Sequence, residues 1–240
     1  MSRAMLVLRP EPGAGETAAR ARAMGFRAVA APLFEVRPIA WQAPPPEDFD
    51  AVLLTSPNAA RHGGPALAAF TALPCYTVGE SSAAAAEAAG FRNVIAGPAD
   101  GAAAAASMAA SGVMRAFHPC GRDHLAPGAP GLSIERRIVY CADELPSLPD
   151  EALAALADGA VALIHSPRAG ASFGRLADSA GLARRTICLA AISPPAALAS
   201  GSGWKRIAVA DRPRDEALLE IAAKLCQTER RDGQNEAADD

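Results

Sequence analysis

Leu53-Leu-Thr-Ser-Pro-Asn-Ala59 decides the fold of this chain, because it returns later as Leu163-Ile-His-Ser-Pro-Arg-Ala169. In each copy a short apolar run predicts a buried strand. The Ser-Pro pair that follows predicts the start of a helix, with the serine as N-cap and the proline in the first turn. The two copies therefore indicate two related strand–turn–helix units.

Two further pairs of matching segments follow these copies in the same order. Thr77-Val-Gly-Glu-Ser-Ser-Ala83 pairs weakly with Ala190-Ala-Ile-Ser-Pro-Pro-Ala196, and Gly90-Phe-Arg-Asn-Val-Ile95 pairs with Gly203-Trp-Lys-Arg-Ile-Ala208. The Ser-Pro serine precedes that glycine by 34 residues in the first copy and by 37 in the second. Matches in one order and at nearly equal spacing indicate an internal duplication of an α/β unit.

Short apolar runs alternate with alanine-rich stretches along nearly the whole chain. Their continuous apolarity predicts strands covered on both faces, and the alternation predicts an α/β fold with parallel sheets. The predicted strands are Met5–Leu8, Ala28–Leu33, Ala51–Leu54, Tyr76–Val78, Val94–Ala96, Met114–His118, Ile138–Cys141, Val161–Ile164, Ile187–Ala191 and Ile207–Ala210. The predicted helices are Glu16–Met24, Ser81–Ala89, Ala102–Ala110, Glu151–Ala157, Phe173–Ala180 and Glu216–Leu225.

Two proline-rich polar segments predict how the chain divides into domains. They are Trp41–Asp48 and Asp143–Asp150, and each follows a β-prone run. Because there are two linkers, the chain crosses between domains twice. We therefore predict a discontinuous domain of residues 1–36 plus 143–227, an inserted domain of residues 40–138, connector strands at 36–40 and 138–143, and a disordered tail at 228–240.

Composition and charge exclude several classes of protein. The formal net charge is −3 and no Lys/Arg-rich run is present, so nucleic acid is not an expected partner. The first apolar run, Met5–Leu8, is too short for a signal-peptide core or a membrane span. The five cysteines are an odd number without a Cys-x-x-Cys pair, which indicates reduced thiols in a cytoplasmic protein.

Helix starts that directly follow strands are the candidate binding positions. Such a turn presents free backbone N–H groups and the positive end of a helix dipole, which suit an anion such as a carboxylate. The two Ser-Pro turns and Gly79-Glu-Ser-Ser82 fit this pattern, although ordinary helix capping explains any one of them alone. Ligands of open α/β sheets bind at the carboxyl ends of strands, so we expect the site in a cleft between the domains.

Other chemistries find no support in the sequence. No phosphate-binding glycine loop is present, and no G-x-S-x-G elbow suggests a serine hydrolase. The histidines are scattered without an established ligand spacing, so no metal site is predicted; they are His62, His118, His124 and His165.

Several short motifs together resemble the uroporphyrinogen-III synthase family in order and spacing, from Leu6 to about Leu225. They are Val7-Leu-Arg-Pro10, Gly25-Phe26 with Pro32-Leu-Phe34, Leu54-Thr-Ser-Pro-Asn-Ala59, Val78-Gly-Glu-Ser81, Val139-Tyr140 and Ser166-Pro167. The resemblance implies two flavodoxin-like domains joined by a two-stranded β connector. It also implies a lyase of tetrapyrrole and heme biosynthesis. Such an enzyme closes hydroxymethylbilane to uroporphyrinogen III, losing water and inverting the last pyrrole ring, without a cofactor. We expect a monomer.

The resemblance assigns roles residue by residue. Tyr140 stands where the family has a tyrosine proposed to help the hydroxyl leave, which a phenol can do by donating a proton; a half-buried strand tyrosine is the alternative. The substrate-binding residues that it implies at the turns are Thr55, Ser56, Gly79, Ser81 and Ser82 in the middle domain, and Ser166 and Ser193 in the other. Arg9 and Arg168 are candidate partners of substrate carboxylates, with ordinary surface arginines as the alternative.

Two positions depart from the family pattern. His165 replaces the usual threonine or serine before Ser166, and Ser193 lies in a turn where the family tends to have a glycine and a Thr-Ala pair. These changes leave open a related protein with altered activity. The altered turn at Ser193 favours the alternative of a non-catalytic two-domain protein that binds a carboxylated small molecule, whereas Tyr140 favours the enzyme. A nucleotide-dependent transferase would need a phosphate loop that the chain does not contain.

Overall fold

Strands and helices alternate through residues 3–97, 100–124 and 126–227, which the computed structural model describes. In chain order the strands are β1 (Met5–Val7), β2 (Ala28–Ala30), β3 (Phe34–Pro38), β4 (Ala51–Leu54), β5 (Cys75–Val78), β6 (Val94–Gly97), β7 (Arg115–Gly121), β8 (Ser133–Glu144), β9 (Val161–Ile164), β10 (Cys188–Ala191) and β11 (Arg206–Val209). The α-helices are α1 (Gly13–Ala23), α2 (Pro57–His62), α3 (Glu80–Ala88), α4 (Gly101–Ala110), α5 (Asp150–Ala157), α6 (Pro167–Ser179), α7 (Pro194–Ala199) and α8 (Asp215–Gln227). The predicted α/β class with parallel sheets is confirmed.

The described residues divide into two compact units. Unit 1 contains the described residues up to Glu35 and those from Glu144 onward, and unit 2 contains Val36–Asp143. The chain therefore passes from one unit to the other twice, once in β3 and once at the end of β8.

The strands β3 and β8 pair with each other in antiparallel register. The Ile39 N–H donates to the Val139 carbonyl, and the Leu145 N–H donates to the Leu33 carbonyl, each at 2.9 Å. The two passages of the chain are thus held together by backbone hydrogen bonds.

The same arrangement of related strands is present in both units. The strand order is β11-β10-β9-β1-β2 in one sheet and β6-β5-β4-β7-β8-β3 in the other. The repeated sequence motifs lie at β4, β5 and β6 and again at β9, β10 and β11, in the same spatial order. In unit 1 the first two strands of the chain, β1 and β2, take the places that β7 and β8 take in unit 2. The two copies therefore have related strands in the same places, but the order of these strands along the chain differs between them.

Alanine allows helices to lie close to the sheet of unit 1. Ala14, Ala18 and Ala21 of α1 are fully buried in one cluster with Met5 and Val7 of β1. Because the helix contributes only methyl groups at these positions, the larger side chains of the strand fill the space between the two elements.

One face of the sheet in unit 2 is covered by aromatic side chains. Trp41, Phe49, Phe70 and Phe117 pack on one another, and the rings of Phe70 and Phe117 stack with centroids 4.2 Å apart. Adjacent residues of a strand point to opposite faces, so His118 lies on the face of β7 away from this cluster.

Among the elements whose bounds differ from the prediction, β8 and α6 differ for identifiable reasons. The strand β8 is longer than the predicted Ile138–Cys141, because its first part pairs parallel with β7 and its last part pairs with β3. The helix α6 begins at Pro167 rather than at Phe173. Gly170, before the predicted start, has low helix propensity, but a Cβ there would lie 2.6 Å from the Ala196 carbonyl, so glycine permits close packing of α6 on α7.

Other sequence predictions concern thiols, membranes and the C-terminus. All five cysteines are free thiols and all are buried. No helix within the described ranges is long and apolar enough to cross a membrane. The predicted disordered tail, residues 228–240, lies outside the described residues.

Candidate functional site

A cavity of about 470 Å³ lies in unit 2 at the carboxyl ends of its parallel strands. Thr55 follows β4, Val78 ends β5 and Gly121 ends β7, and all three line the cavity. This is the end of an open α/β sheet at which ligands usually bind. The polar side chains in the lining are those of Thr55, Ser56, Asp100, Asp123, His124 and Tyr140.

Tyr140 lies in this cavity wall because β8 runs beside β7. The register places Tyr140 opposite Gly121, at an irregularity in the pairing of the two strands. A Cβ built on Gly121 would be 2.6 Å from the ring carbon Cζ of Tyr140 and 2.8 Å from its hydroxyl oxygen. The phenol therefore lies directly over the Gly121 backbone, and only glycine at this position leaves room for it.

Thr55 connects the cavity to a fully buried histidine. Its hydroxyl oxygen is 3.1 Å from Nε2 of His118, which is 0% exposed on β7. Nδ1 of His118 is buried without a hydrogen-bond partner among the described residues. Burial, with the nearby Arg136 and His124 as smaller causes, lowers the pKa of His118 from 6.5 to about 3. The imidazole is therefore neutral over the physiological pH range.

The starts of two helices form another part of the cavity wall. The Ser56 hydroxyl accepts a hydrogen bond from the Asn58 N–H at 3.2 Å, which makes Ser56 the N-cap of α2 as predicted. Asp100 caps α4 by accepting from the Ala103 N–H at 2.7 Å. The wall therefore combines hydroxyl and phenol groups with two carboxylates, one of which is already engaged in capping.

The predicted turn after β5 lies at the same edge of the sheet, but its three candidate residues do not line the cavity. Gly79 is the N-cap of α3 and has φ of 76°, a conformation that favours glycine. Ser81 is exposed in the first turn of α3, whereas Ser82 is buried against the core. From this turn only Val78 reaches the cavity.

The candidate serines of unit 1 both cap helices. The Ser166 hydroxyl accepts from the Ala169 N–H at 3.1 Å at the start of α6, and the Ser193 hydroxyl accepts from the Ala196 N–H at 3.4 Å at the start of α7. The departure at Ser193 thus preserves the capped strand–turn–helix geometry of the repeat.

Arg168, in the first turn of α6, is held by an aromatic ring. Its guanidinium lies over Phe34 with the central carbon 4.6 Å from the ring centroid. Guanidinium groups can stack on an aromatic face and also bind carboxylates, so Arg168 remains a candidate partner of an anion.

Arg9 and His165 meet at a largely buried carboxylate, Asp215, that the sequence did not single out. Asp215, at the start of α8, lies 3.0 Å from His165 Nε2 and accepts a hydrogen bond from Thr17 at the same distance. It also pairs with Arg20, and a nitrogen of Arg9 is 3.8 Å away. His165, the departure from the family pattern, therefore has a structural partner within unit 1.

The pKa shifts of this cluster indicate a neutral histidine beside an ionised carboxylate. Burial alone would raise the pKa of Asp215, but hydrogen bonds from His165, Thr17 and Arg20 lower it to about 2. Burial lowers the pKa of His165, although its hydrogen bond to Asp215 opposes that change. Asp215 remains charged at neutral pH, and it links α1 and the residue that follows β9 to the start of α8.

One family model matches most of the chain, and a solved structure has a similar fold. The family model described as uroporphyrinogen-III synthase HemD matches residues 15–220. The chain is similar to uroporphyrinogen-III synthetase from Helicobacter pylori, with a TM-score of 0.63, 15% sequence identity, and coverage of 94% of this chain and 100% of that one. A mutant uroporphyrinogen III synthase from Thermus thermophilus aligns with a TM-score of 0.48 and 15% identity over 95% of this chain and 100% of that one. No sequence among the curated proteins matches.

We expect the buried His118 to make the protein sensitive to acid. The unfolded chain binds a proton at this histidine below about pH 6.5, whereas the native state, with its pKa of about 3, does not. The free energy of unfolding therefore falls as the pH drops through this range, and His118 alone accounts for a loss of about 2 kcal/mol between pH 7 and pH 5.

Urea denaturation of the wild type and the His118→Gln variant at both pH values measures this contribution. The decrease in the free energy of unfolding between pH 7 and pH 5 is expected to be about 2 kcal/mol smaller in the variant. An equal decrease in both proteins would show that His118 does not carry the effect.

Proposed function

Because the chain belongs to the uroporphyrinogen-III synthase family, we propose that it is a lyase that closes hydroxymethylbilane to uroporphyrinogen III. The linear tetrapyrrole loses water, and its last pyrrole ring is inverted as the macrocycle closes. The family match over residues 15–220 carries this proposal. The reaction as proposed uses no cofactor.

The reaction requires a proton donor for the departing hydroxyl and a fixed geometry of the bound substrate. The C–O bond to the departing hydroxyl breaks more easily when a proton donor meets the oxygen, which then leaves as water. The new C–C bond is made by an electron-rich pyrrole carbon, which needs no activation by the protein. Because a different closure proceeds without an enzyme and gives the type I isomer, positioning of the chain ends decides the product.

Tyr140 is the proposed proton donor. Its phenol lines the cavity of unit 2 together with Thr55 and Ser56, which are the proposed binding residues that line this cavity. The ring is held over Gly121, so the hydroxyl has a defined position in the wall. A positioned phenol can protonate a departing hydroxyl or donate a hydrogen bond to it.

The substrate carries eight carboxylates, and the proposed contacts are spread over both units. In unit 2 they are Thr55, Ser56, Gly79, Ser81 and Ser82; in unit 1 they are Arg9, Ser166, Arg168 and Ser193. The protein has a net charge of −3, so attraction must come from local groups such as these arginines and the N–H groups of helix starts.

We also propose that the two units are variants of one flavodoxin-like fold joined by β3 and β8 as a connector. Numbered within unit 1, the strand order is 2-1-3-4-5, which is the flavodoxin order. Unit 2 has related strands in the same places, with the chain entering at a different strand. The proposed domains are residues 1–36 with 143–227 and residues 40–138. We further propose that the protein is a cytoplasmic monomer without a nucleic-acid partner.

A coupled isomer assay tests the activity. Hydroxymethylbilane is generated in situ, the purified protein is added, and the uroporphyrin I and III isomers are separated after oxidation. We expect mainly type III product without any added cofactor, because the bound geometry directs the inverted closure. Only type I product from a folded protein would reject the activity and favour the non-catalytic binder of a carboxylated molecule.

Tyr140→Phe is expected to lower kcat at least about 10-fold while the protein stays folded, because the ring remains and the proton donor is lost. Gly121→Ala is expected to lower kcat as well, because its Cβ would occupy the position of the phenol. Gly128→Ala is the matched control, since a Cβ there meets no atom within 4 Å.

Initial rates of type III formation measure all three variants, and urea denaturation checks that each is folded. The assigned role of Tyr140 would be wrong if Tyr140→Phe turned over at the wild-type rate. A loss of activity in Gly128→Ala as large as that in Gly121→Ala would contradict the steric explanation.

A further inference from the structure

The hydrogen bond between Thr55 and His118 has two possible directions, and they have different consequences for the cavity. A neutral imidazole carries its proton on one ring nitrogen and accepts on the other. If the Thr55 hydroxyl donates to Nε2, the hydroxyl proton is engaged by His118, and only the lone pairs of the hydroxyl oxygen face the cavity. If Nε2–H donates to Thr55, the hydroxyl proton is free to point toward a ligand.

The surroundings of Nδ1 favour the second direction. This nitrogen is buried without a partner among the described residues. In the first direction it would carry a buried N–H with no acceptor, and such unsatisfied donors are rarer in proteins than unsatisfied acceptors.

Arg136 helps to keep the imidazole neutral. It is the register neighbour of His118 on β8, and its charge is one of the causes that lower the pKa of His118. A neutral imidazole carries a single N–H, so the proton that Nε2 donates is the only one that the ring has to place.

The hydroxyl of Thr55 has a single recorded hydrogen bond in the described structure, the one to His118 at 3.1 Å. Thr55 lines the cavity with Tyr140, whereas His118 is fully buried behind it. A hydroxyl that accepts from behind therefore presents its proton to the cavity.

We propose that His118 is a positioning residue that donates Nε2–H to Thr55 and so holds the Thr55 hydroxyl as a hydrogen-bond donor for a carboxylate of the bound tetrapyrrole. This inference rests on the proposed function and names the ligand group that this part of the cavity binds. Because the substrate carboxylate is ionised before and during the reaction, the contact strengthens binding of the ground state and the transition state alike. Its loss is expected to raise KM and to change kcat little.

The test compares two substitutions of His118 in two backgrounds. His118→Gln keeps an N–H donor near the position of Nε2, whereas His118→Met fills similar space without a donor. With Thr55 present, we expect KM for hydroxymethylbilane to be about 10-fold higher in His118→Met than in His118→Gln, in line with the loss of a charge-assisted hydrogen bond. In the Thr55→Val background the two substitutions are expected to give KM values within about two-fold of each other, because the coupling needs both partners.

A structural role of His118 alone predicts a different result. If His118 only fills space, the ratio of the KM of His118→Met to that of His118→Gln would be the same with and without the Thr55 hydroxyl. An equal ratio in the two backgrounds would therefore overturn the proposal. The isomer assay on the wild type keeps the two hypotheses separate: type III product with an equal ratio rejects the role of His118 and leaves the enzymatic function standing.

A measurement on the unaltered protein provides a second test that does not depend on activity. Nitrogen NMR of the protein with ¹⁵N-labelled histidine identifies which ring nitrogen of His118 carries the proton, with the His118→Gln spectrum used for assignment. Should that variant not fold, a wild-type experiment that correlates the ring protons with neighbouring residues assigns the signal instead. A proton on Nε2 supports the proposal, and a proton on Nδ1 overturns it.

Discussion

Three inner strands, β4, β9 and β10, are buried at every residue, and this constraint determines where the protein can do chemistry. Polar groups of such strands can reach a ligand only beyond the strand ends, where the chain turns into the next helix. The duplicated Ser-Pro motif lies at one of these turns in each unit, so the fold and the location of candidate binding groups follow from the same burial pattern.

Glycine supplies the second condition for the site, because it lets side chains and helices approach the backbone closely. At Gly121 the absent Cβ makes room for the phenol of Tyr140, and at Gly170 it lets α6 pack on α7. The cavity wall is therefore shaped by a residue with no functional group of its own. Behind that wall, burial keeps His118 neutral, so its imidazole can act only as a hydrogen-bonding group.

Much of this organisation was predictable from local patterns. The apolar run and Ser-Pro pair at Leu53–Pro57 specify a buried strand and a capped helix, and the structure has both. The length of β8 was not predictable, because it depends on pairing with two distant strands. Nor did any local pattern predict the hydrogen bond between His165 and Asp215 or the one between Thr55 and His118. The partners are 50 and 63 residues apart in the sequence and meet only in the folded chain. His165, a departure in the sequence, makes a hydrogen bond with Asp215 in the folded chain.

The most direct measurement is an experimental structure of the protein with uroporphyrin III, the stable oxidised form of the proposed product. The account predicts that the tetrapyrrole occupies the cavity of unit 2, with a carboxylate oxygen about 3 Å from the Thr55 hydroxyl and the macrocycle beside Tyr140. A ligand bound in a defined position that leaves this cavity empty would contradict the account, because the strand-end groups would then have no contact with the molecule that they are proposed to hold.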